Sequence, residues 1–209
     1  MNIPVIFEDD WFLIVNKPAG LLSVPTPKNE TRTLTSILNE YAQEKKIKSG
    51  FFPCHRLDRQ TSGLVIYAKD KSTEAKMADL FRQRKVSKKY IAFVQGKLSR
   101  KNGQISSQIE SKAALTNYRV LQEKKDYSVV EVSPVTGRTN QIRIHFKSIQ
   151  HPLVGEDKFI FRKDFALRFK RVCLHAEYLE FKHPQTGKIV AVEASLPEDM
   201  QKFLQDHSA

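Results

Sequence analysis

Hydrophobic and polar positions alternate at the start of the chain in the way that is typical of a β-hairpin. Residues 4–7 and 11–16 are rich in large apolar side chains, and the acidic stretch 8–10 separates them. The period then changes, because apolar residues recur at helical spacing over 34–42 and Thr33 is placed to cap a helix there. The first forty residues therefore predict two antiparallel strands followed by a helix.

The same pattern predicts three more elements in the middle of the chain. Residues 50–59 form a connection, and 63–69 form a short buried strand. Asp70 or Ser72 can cap a helix over residues 73–84, and residues 88–96 alternate again as a strand. Strand and helix signals are thus interleaved with short connections.

The C-terminal half adds strands, a short helix and a final helix. Segments 106–109, 116–122 and 128–133 indicate an antiparallel run, and Thr139 begins a helix whose apolar side extends to Ile149. Segments 174–181 and 189–194 bracket a turn, and Pro197 starts a last helix to about Gln205. The pattern predicts an α+β fold with a mixed, mainly antiparallel sheet and flanking helices. We expect residues 1–209 to form a single domain.

The charge is strongly basic and unevenly distributed. The chain has 209 residues with 35 Lys and Arg against 23 Asp and Glu, a formal net charge of +12. Residues 61–125 hold 15 basic and 5 acidic side chains, so they supply +10 of that net charge. Two dense groups are Arg82, Arg84, Lys85, Lys88 and Lys89, and Arg162, Lys163, Arg168, Lys170 and Arg171. Such runs form solvated surfaces or bind polyphosphates such as nucleic acids.

Composition excludes several other classes of protein. No apolar run approaches the roughly 20 residues that span a bilayer, and the acidic N-terminus lacks the features of a secretion signal. Two cysteines, Cys54 and Cys173, provide neither a disulfide framework nor a four-cysteine zinc site. We expect a cytoplasmic protein that does not bind membranes.

The segment 55–63 contains a candidate catalytic carboxylate. Asp58 lies between Arg56 and Arg59, and neighbouring cations favour the ionised form of a carboxylate. Taken alone, such a short motif is also typical of a loop ion pair.

Taken with the rest of the chain, this segment resembles the catalytic segment of the RluA-type pseudouridine synthases. The family's opening block is similar to residues 11–25, its tyrosine strand to 88–96 and its arginine helix to 136–145. Later blocks at 151–155, 174–176 and 183–187 follow in the family's order. The resemblance covers most of the chain and implies the pseudouridine synthase catalytic fold. Since little sequence precedes Trp11, we expect no separate N-terminal RNA-binding domain.

The resemblance implies an isomerase that converts uridine in RNA to pseudouridine after flipping the nucleotide out of its helix. Asp58 would be the catalytic carboxylate, which either attacks the ribose or the base or removes a sugar proton. Tyr90 would stack on the flipped base, and Arg143 would keep the carboxylate ionised and oriented. No cofactor and no metal are implied.

The resemblance also suggests RNA contacts. Arg56 would fill the space left by the flipped nucleotide or hold its phosphate, and the further candidates are Arg59, Lys88, Lys89, Arg138 and Asn140. Three positions depart from the family's usual residues: Asn140 replaces His, Glu156 replaces Asp, and Phe159 replaces Tyr. The substrate would be a stem-loop of ribosomal or transfer RNA. We expect the protein to be a monomer.

Other functions are less well supported by the residues. A non-catalytic RNA-binding or chaperone protein would not need Asp58 beside phosphates, and an RNA nuclease generally uses paired carboxylates or histidines. Cys54 beside His55 suggests a thiolate nucleophile, but sequence neighbours usually point apart. His145, His151 and Glu156 lack a standard metal-ligand spacing, and the glycines form no phosphate-binding motif.

Overall fold

The computed structural model describes residues 3–26, 30, 32–47, 50–160 and 167–207. Its elements are, in order, β1 (Val5–Glu8), β2 (Phe12–Lys17), α1 (Leu34–Glu44), β3 (Phe52–Pro53), β4 (Ser62–Ala68), α2 (Lys71–Arg82), β5 (Val86–Gln95), β6 (Asn102–Ile109), β7 (Lys112–Glu123), β8 (Tyr127–Pro134), α3 (Gln141–Ser148), β9 (Leu174–Lys182), β10 (Ile189–Glu193) and α4 (Glu198–Asp206). The strand ladders with a defined register are antiparallel. The predicted α+β fold with a mainly antiparallel sheet is confirmed.

The chain forms two compact units, each built from two stretches of sequence. Unit 1 comprises Met1–Ser87 and Tyr178–Ala194, and unit 2 comprises Lys88–Glu177 and Ser195–Ala209. The boundary falls inside β9, whose residues up to Glu177 belong to unit 2.

Unit 1 contains strands in the order β1-β2-β4-β9, with β3 beside β4 and β10 beside β9. Every residue of β4 is buried, which explains its continuous apolar run. Its core includes Phe12, Ile66, Met77 and Phe181. The helices start at polar caps, because Thr33 begins α1 with a capping box and Asp70 accepts the backbone N–H of Thr73 at the start of α2.

Unit 2 contains strands in the order β9-β5-β8-β7-β6. A cluster of buried apolar residues joins these strands to α3 through Ile142 and Phe146. A second cluster joins them to α4 through Met200 and Phe203. This packing fixes α3, the helix that carries Arg143.

Three details differ from the sequence expectations. The connection 50–59 contains the two-residue strand β3, and β6 starts at Asn102 instead of Ser106. Helix α3 begins at Gln141 instead of Thr139, because Asn140 adopts the left-handed conformation with φ of 53°. Arg162 and Lys163 of the second basic group lie outside the described residues. Among the residues that are described, no helix is long and apolar enough to cross a membrane.

Candidate active site

Asp58 lies in the loop between β3 and β4, and its side chain is half-buried. Buried Ser23 fixes the preceding residue, since its hydroxyl donates to the Leu57 carbonyl at 2.8 Å and accepts the Leu57 N–H at 3.0 Å. The Ser23 carbonyl in turn accepts hydrogen bonds from the hydroxyls of Thr35 at 2.8 Å and Tyr67 at 3.3 Å. The backbone next to Asp58 is therefore tied to β4 and α1 through buried hydrogen bonds.

A buried lysine fixes the other side of the same loop. The Lys17 side chain is fully buried at the end of β2, and its ammonium donates to the carbonyls of Leu21 at 2.7 Å, Pro18 at 2.9 Å and Arg59 at 3.3 Å. The Arg59 carbonyl also accepts the Gly20 N–H at 2.8 Å. Since a buried ammonium is costly unless it is well hydrogen-bonded, these contacts hold two loops at one point.

The adjacent pair Cys54 and His55 does not form a thiolate nucleophile. Burial raises the pKa of the Cys54 thiol to about 12, and the charge of Glu74 acts in the same direction. His55 Nε2 accepts the Ile66 backbone N–H at 3.1 Å, so this nitrogen is already used to hold β4. The thiol therefore stays protonated near neutral pH.

The two arginines that flank Asp58 are exposed. Arg59 pairs with Glu30, and both side chains remain partly open to solvent. An exposed pair of this kind contributes little to stability, and a phosphate can compete for the guanidinium.

Tyr90 lies in β5 opposite Val132 of β8 and packs half-buried against the core of unit 2. Lys88 shares its face of the strand, because side chains two residues apart point to the same side. Burial lowers the pKa of Lys88. Lys89 lies on the opposite face, where its Nζ is 3.3 Å from Glu131 Oε2. The two candidate RNA-binding lysines are thus separated by the strand.

Arg143 is buried on α3 and makes a two-pronged ion pair with Glu156. Its Nε donates to Glu156 Oε2 at 2.7 Å, and its Nη2 donates to Glu156 Oε1 at 2.6 Å. Burial alone would raise the pKa of Glu156, but the hydrogen bonds and charge of Arg143 and the backbone N–H donors hold that pKa below its usual value. The pair therefore stays charged at neutral pH.

Helix α3 is fixed to β7 through polar side chains. The Gln141 amide donates to the Leu115 carbonyl and to the Thr116 hydroxyl, both at 2.9 Å, and His145 Nδ1 lies 2.8 Å from that hydroxyl. Burial lowers the pKa of His145, so the ring is neutral. Arg138 is exposed and donates to the Ala113 carbonyl at 3.3 Å through two of its nitrogens.

His145 and His151 make separate contacts and do not form a metal site with each other. His145 contacts Thr116, whereas His151 Nδ1 lies 2.8 Å from the Gln95 carbonyl. Over the ranges that the structure describes, no three His, Cys, Asp or Glu side chains cluster in a way that could hold a metal ion.

The candidate residues divide between the two units. Asp58, Arg56 and Arg59 belong to unit 1, whereas unit 2 contains Tyr90, Lys88, Lys89, Arg138, Asn140 and Arg143. Within unit 2, Arg143 contacts Asn140 directly, because Arg143 Nη1 donates to Asn140 Oδ1 at 3.1 Å.

The sequence did not reveal that Lys17 and Ser23 support the Asp58 loop, and it marked Glu156 without its contact to Arg143. The signal for Lys17 is a lysine that ends an apolar strand just before a proline, and the signal for Glu156 is an acidic residue after a glycine. Ser23 has no comparable signal. Unit 1 thus presents a carboxylate on a fixed loop, and unit 2 presents a half-buried tyrosine and a fixed cation. A carboxylate of this kind suits acid–base or nucleophilic chemistry.

Comparison with known proteins identifies the family. The RNA pseudouridylate synthase family matches residues 11–148. The ribosomal large subunit pseudouridine synthase D of Nitrosomonas europaea is 35% identical over 97% of this chain and 64% of its own length. The dual-specificity RNA pseudouridine synthase RluA of Pasteurella multocida is 34% identical over 92% of each chain.

A solved structure has the same fold. The human RNA pseudouridylate synthase domain containing 4 superposes with a TM-score of 0.84 at 22% identity, covering 98% of this chain and 93% of its own. Fold, family match and sequence identity agree. The chain therefore belongs to the RNA pseudouridylate synthase family, the isomerases that convert uridine in RNA to pseudouridine.

Proposed function

We propose that this protein isomerises specific uridines in a stem-loop of ribosomal or transfer RNA, with Asp58 as its catalytic carboxylate. The observation that carries the proposal is the double attachment of the Asp58 loop, by Ser23 on one side and Lys17 on the other. Buried polar contacts are expensive to build, and at a catalytic loop they hold the reacting group in one geometry.

The reaction exchanges one bond for another within a single nucleotide. The bond between N1 of uracil and C1′ of ribose breaks, the base rotates, and C5 bonds to C1′. The proton on C5 leaves and N1 gains one, so the composition is unchanged. Because stacked bases hide these atoms, the nucleotide must first be flipped out. Asp58 either attacks the ribose or the base or removes a sugar proton.

Tyr90 and Arg143 supply the other two functions that this chemistry requires. The tyrosine ring gives the flipped base a stacking surface, a contact typically worth about 1–3 kcal/mol per base. The guanidinium of Arg143 provides a permanent positive charge that favours an ionised carboxylate. Its burial supports this role, since a merely solvated surface arginine would be exposed.

RNA recognition would use the basic residues outside the reacting set. The net charge of +12 favours a polyanionic partner. Arg56, Arg59 and Arg138 expose their side chains, and Lys88 shares the face of Tyr90. We infer that residues 1–209 act as one catalytic domain that binds RNA as a monomer in the cytoplasm. A relative named for the ribosomal large subunit supports ribosomal RNA as a substrate.

The test maps pseudouridine in total RNA from cells with and without the gene, using a reagent that stops reverse transcription at the modified base. Purified protein is then added to the deficient RNA. Wild-type protein should restore a specific stop and Asp58→Asn should not, while RNA affinity stays largely unchanged. Asp10→Asn, at an exposed position in unit 1, is the matched control and should restore the stop.

Three outcomes would contradict this assignment. Full activity of Asp58→Asn would show that another residue performs the chemistry. Tight RNA binding without a restored stop from the wild-type protein would instead indicate a binding protein on the same scaffold. A dimer in size-exclusion chromatography with light scattering would contradict the monomer.

A further inference from the structure

The geometry points to Glu156, Asn140 and Phe159 as a set of positioning residues that fix the guanidinium of Arg143. We call these three side chains the Arg143 cradle. The inference rests on the proposed catalytic role of Arg143 and goes beyond it, because it assigns a function to residues that do not themselves react. These are also the three positions at which the sequence departs from the residues usual in the family it resembles.

Glu156 fixes one edge of the guanidinium. Its two oxygens accept from Nε and Nη2 of Arg143 at 2.7 and 2.6 Å, the parallel geometry that sets the plane of an arginine. Its Oε1 also accepts the backbone N–H groups of Asp157 at 3.1 Å, Lys158 at 2.9 Å and Phe159 at 3.3 Å. The carboxylate is therefore anchored to its own loop and cannot rotate without breaking several bonds.

The backbone that presents Glu156 is itself restricted. Gly155 has φ of +80°, and a Cβ at this position would lie 1.8 Å from the Arg171 carbonyl oxygen. No other residue fits without moving that backbone. The backbone that leads into Glu156 is therefore held in one conformation.

Asn140 fixes a second part of the guanidinium. Asn140 precedes α3 in the left-handed conformation, with φ of 53°, and its side chain makes no capping hydrogen bond to the helix. Instead its Oδ1 accepts from Arg143 Nη1 at 3.1 Å. An asparagine tolerates this backbone conformation, and its amide oxygen is used for the arginine instead of for the helix.

Phe159 covers a face of the same group. The guanidinium carbon lies 5.1 Å from the centroid of the ring, within the range of a cation–π contact. The contacts to Glu156 and Asn140 constrain the guanidinium at its nitrogen atoms, and the ring constrains it from one face. The guanidinium has five N–H donors. The hydrogen bonds to Glu156 and Asn140 use three of them and fix the directions of the other two.

The opposing explanation is that Arg143 and Glu156 form an ion pair that only stabilises unit 2. The same unit offers a matched control in Arg171 and Asp199. Arg171 is equally buried, and it donates to the two oxygens of Asp199 through Nε and Nη2, both at 2.8 Å. Breaking either pair should lower stability, whereas only the cradle should alter the chemical step.

The experiment measures single-turnover release of tritium from total RNA that was labelled with 5-tritiated uridine in cells lacking the gene. Enzyme is in excess, so the maximal rate reports chemistry and the half-saturating concentration reports binding. Glu156→Gln should lower the maximal rate about 10- to 100-fold, as expected for a slightly misplaced group, and change half-saturation less than about threefold. Asp199→Asn should lower the melting temperature but keep the maximal rate within about twofold.

Three further variants keep the test informative if Glu156→Gln fails to fold. Asn140→Gly keeps the left-handed backbone while removing the amide, and it should lower the maximal rate about three- to tenfold. Glu156→Asp retains the charge and should be more active than Glu156→Gln. The double variant Asn140→His with Glu156→Asp combines two residues usual in the family. It should be more active than the product of the two single effects, because side chains that share one partner are coupled.

The outcomes distinguish the cradle from the proposed role of Arg143. A wild-type rate for Arg143→Ala would remove Arg143 from the reaction and the cradle with it. An inactive Arg143→Ala combined with wild-type rates for Glu156→Gln and Asn140→Gly would leave that role intact and overturn the cradle. Equal losses of maximal rate in Asp199→Asn and Glu156→Gln would also overturn it, since the loss would then follow stability.

Discussion

Removal of the Ser23 hydroxyl should loosen the loop that carries Asp58. In the wild-type protein, this hydroxyl satisfies both the N–H and the carbonyl of Leu57, and both residues are buried. Ser23→Ala leaves a buried donor and a buried acceptor without this partner, at a cost of about 1–3 kcal/mol for each group. Allowing for relaxation, we expect a loss of about 2–4 kcal/mol in the free energy of unfolding. At this chain length the melting temperature should fall by about 4–16 °C.

The chain's single tryptophan provides the assay. Trp11 packs against the core of unit 1, so its fluorescence during urea unfolding reports the unit that contains Ser23. Ser72→Ala, at an exposed position of α2, is the matched control and should change stability by less than about 0.5 kcal/mol. Hydrogen exchange supplies a local measurement, because the Leu57 amide should exchange faster in Ser23→Ala. Unchanged stability together with an unchanged Leu57 exchange rate would refute the reasoning.

Two further predictions concern charge. Lys88→Ala should weaken RNA binding and reduce the slope of log affinity against log salt by about one unit, whereas Lys89→Ala should have a smaller effect because Lys89 pairs with Glu131. Equal slopes in filter-binding titrations would contradict this difference. Acid should destabilise the fold in two steps. The first lies below pH 6.5, the ordinary pKa of a histidine, because His145 gains a proton more readily in the unfolded chain than in the fold, where its pKa is lowered. The second lies below pH 4.5, the ordinary pKa of a glutamate, because the lowered pKa of Glu156 makes the unfolded carboxylate gain its proton first. Melting curves across this pH range should show the second step reduced in Glu156→Gln, and an identical profile would contradict it.

Local signals in the sequence were enough to predict most of the elements. Thr33 caps α1 as expected, and Asp70, one of the two expected candidates, caps α2. Both were predictable because a cap depends on residues within one turn of the helix. The sequence did not predict β3, because two residues are too few to show an alternation of apolar and polar positions. Its pairing with β4 depends on residues outside its own segment. The late start of α3 depends on the backbone conformation of Asn140, which the apolar pattern does not report.

The sequence suggested candidate reacting groups for the site but not the residues that support them. Asp58, Tyr90 and Arg143 follow from a resemblance, and their chemical roles stay proposals. The burial of Lys17 and its contact with the Arg59 carbonyl join residues 42 positions apart. No local pattern predicts such a contact, because it depends on how the strands pair. Lys88 and Lys89 differ in the face of β5 on which they lie. The structure shows this difference because it gives the position of β5 in the sheet.

The division of β9 has a consequence for synthesis of the chain. Unit 1 consists of Met1–Ser87 and Tyr178–Ala194, so its strand order cannot be completed until the ribosome has translated the second stretch. The first 87 residues contain β4 and its neighbours β2 and β3, but they must wait while residues 88–177 are made before β9 can pair with the edge of β4 opposite β2. A nascent chain of this kind leaves that edge of the apolar strand β4 without β9 for the time needed to add about 90 residues, roughly 5–18 seconds at about 5–20 residues per second. The sheet of unit 1 can therefore be completed only after residue 194 has been translated, close to the end of synthesis.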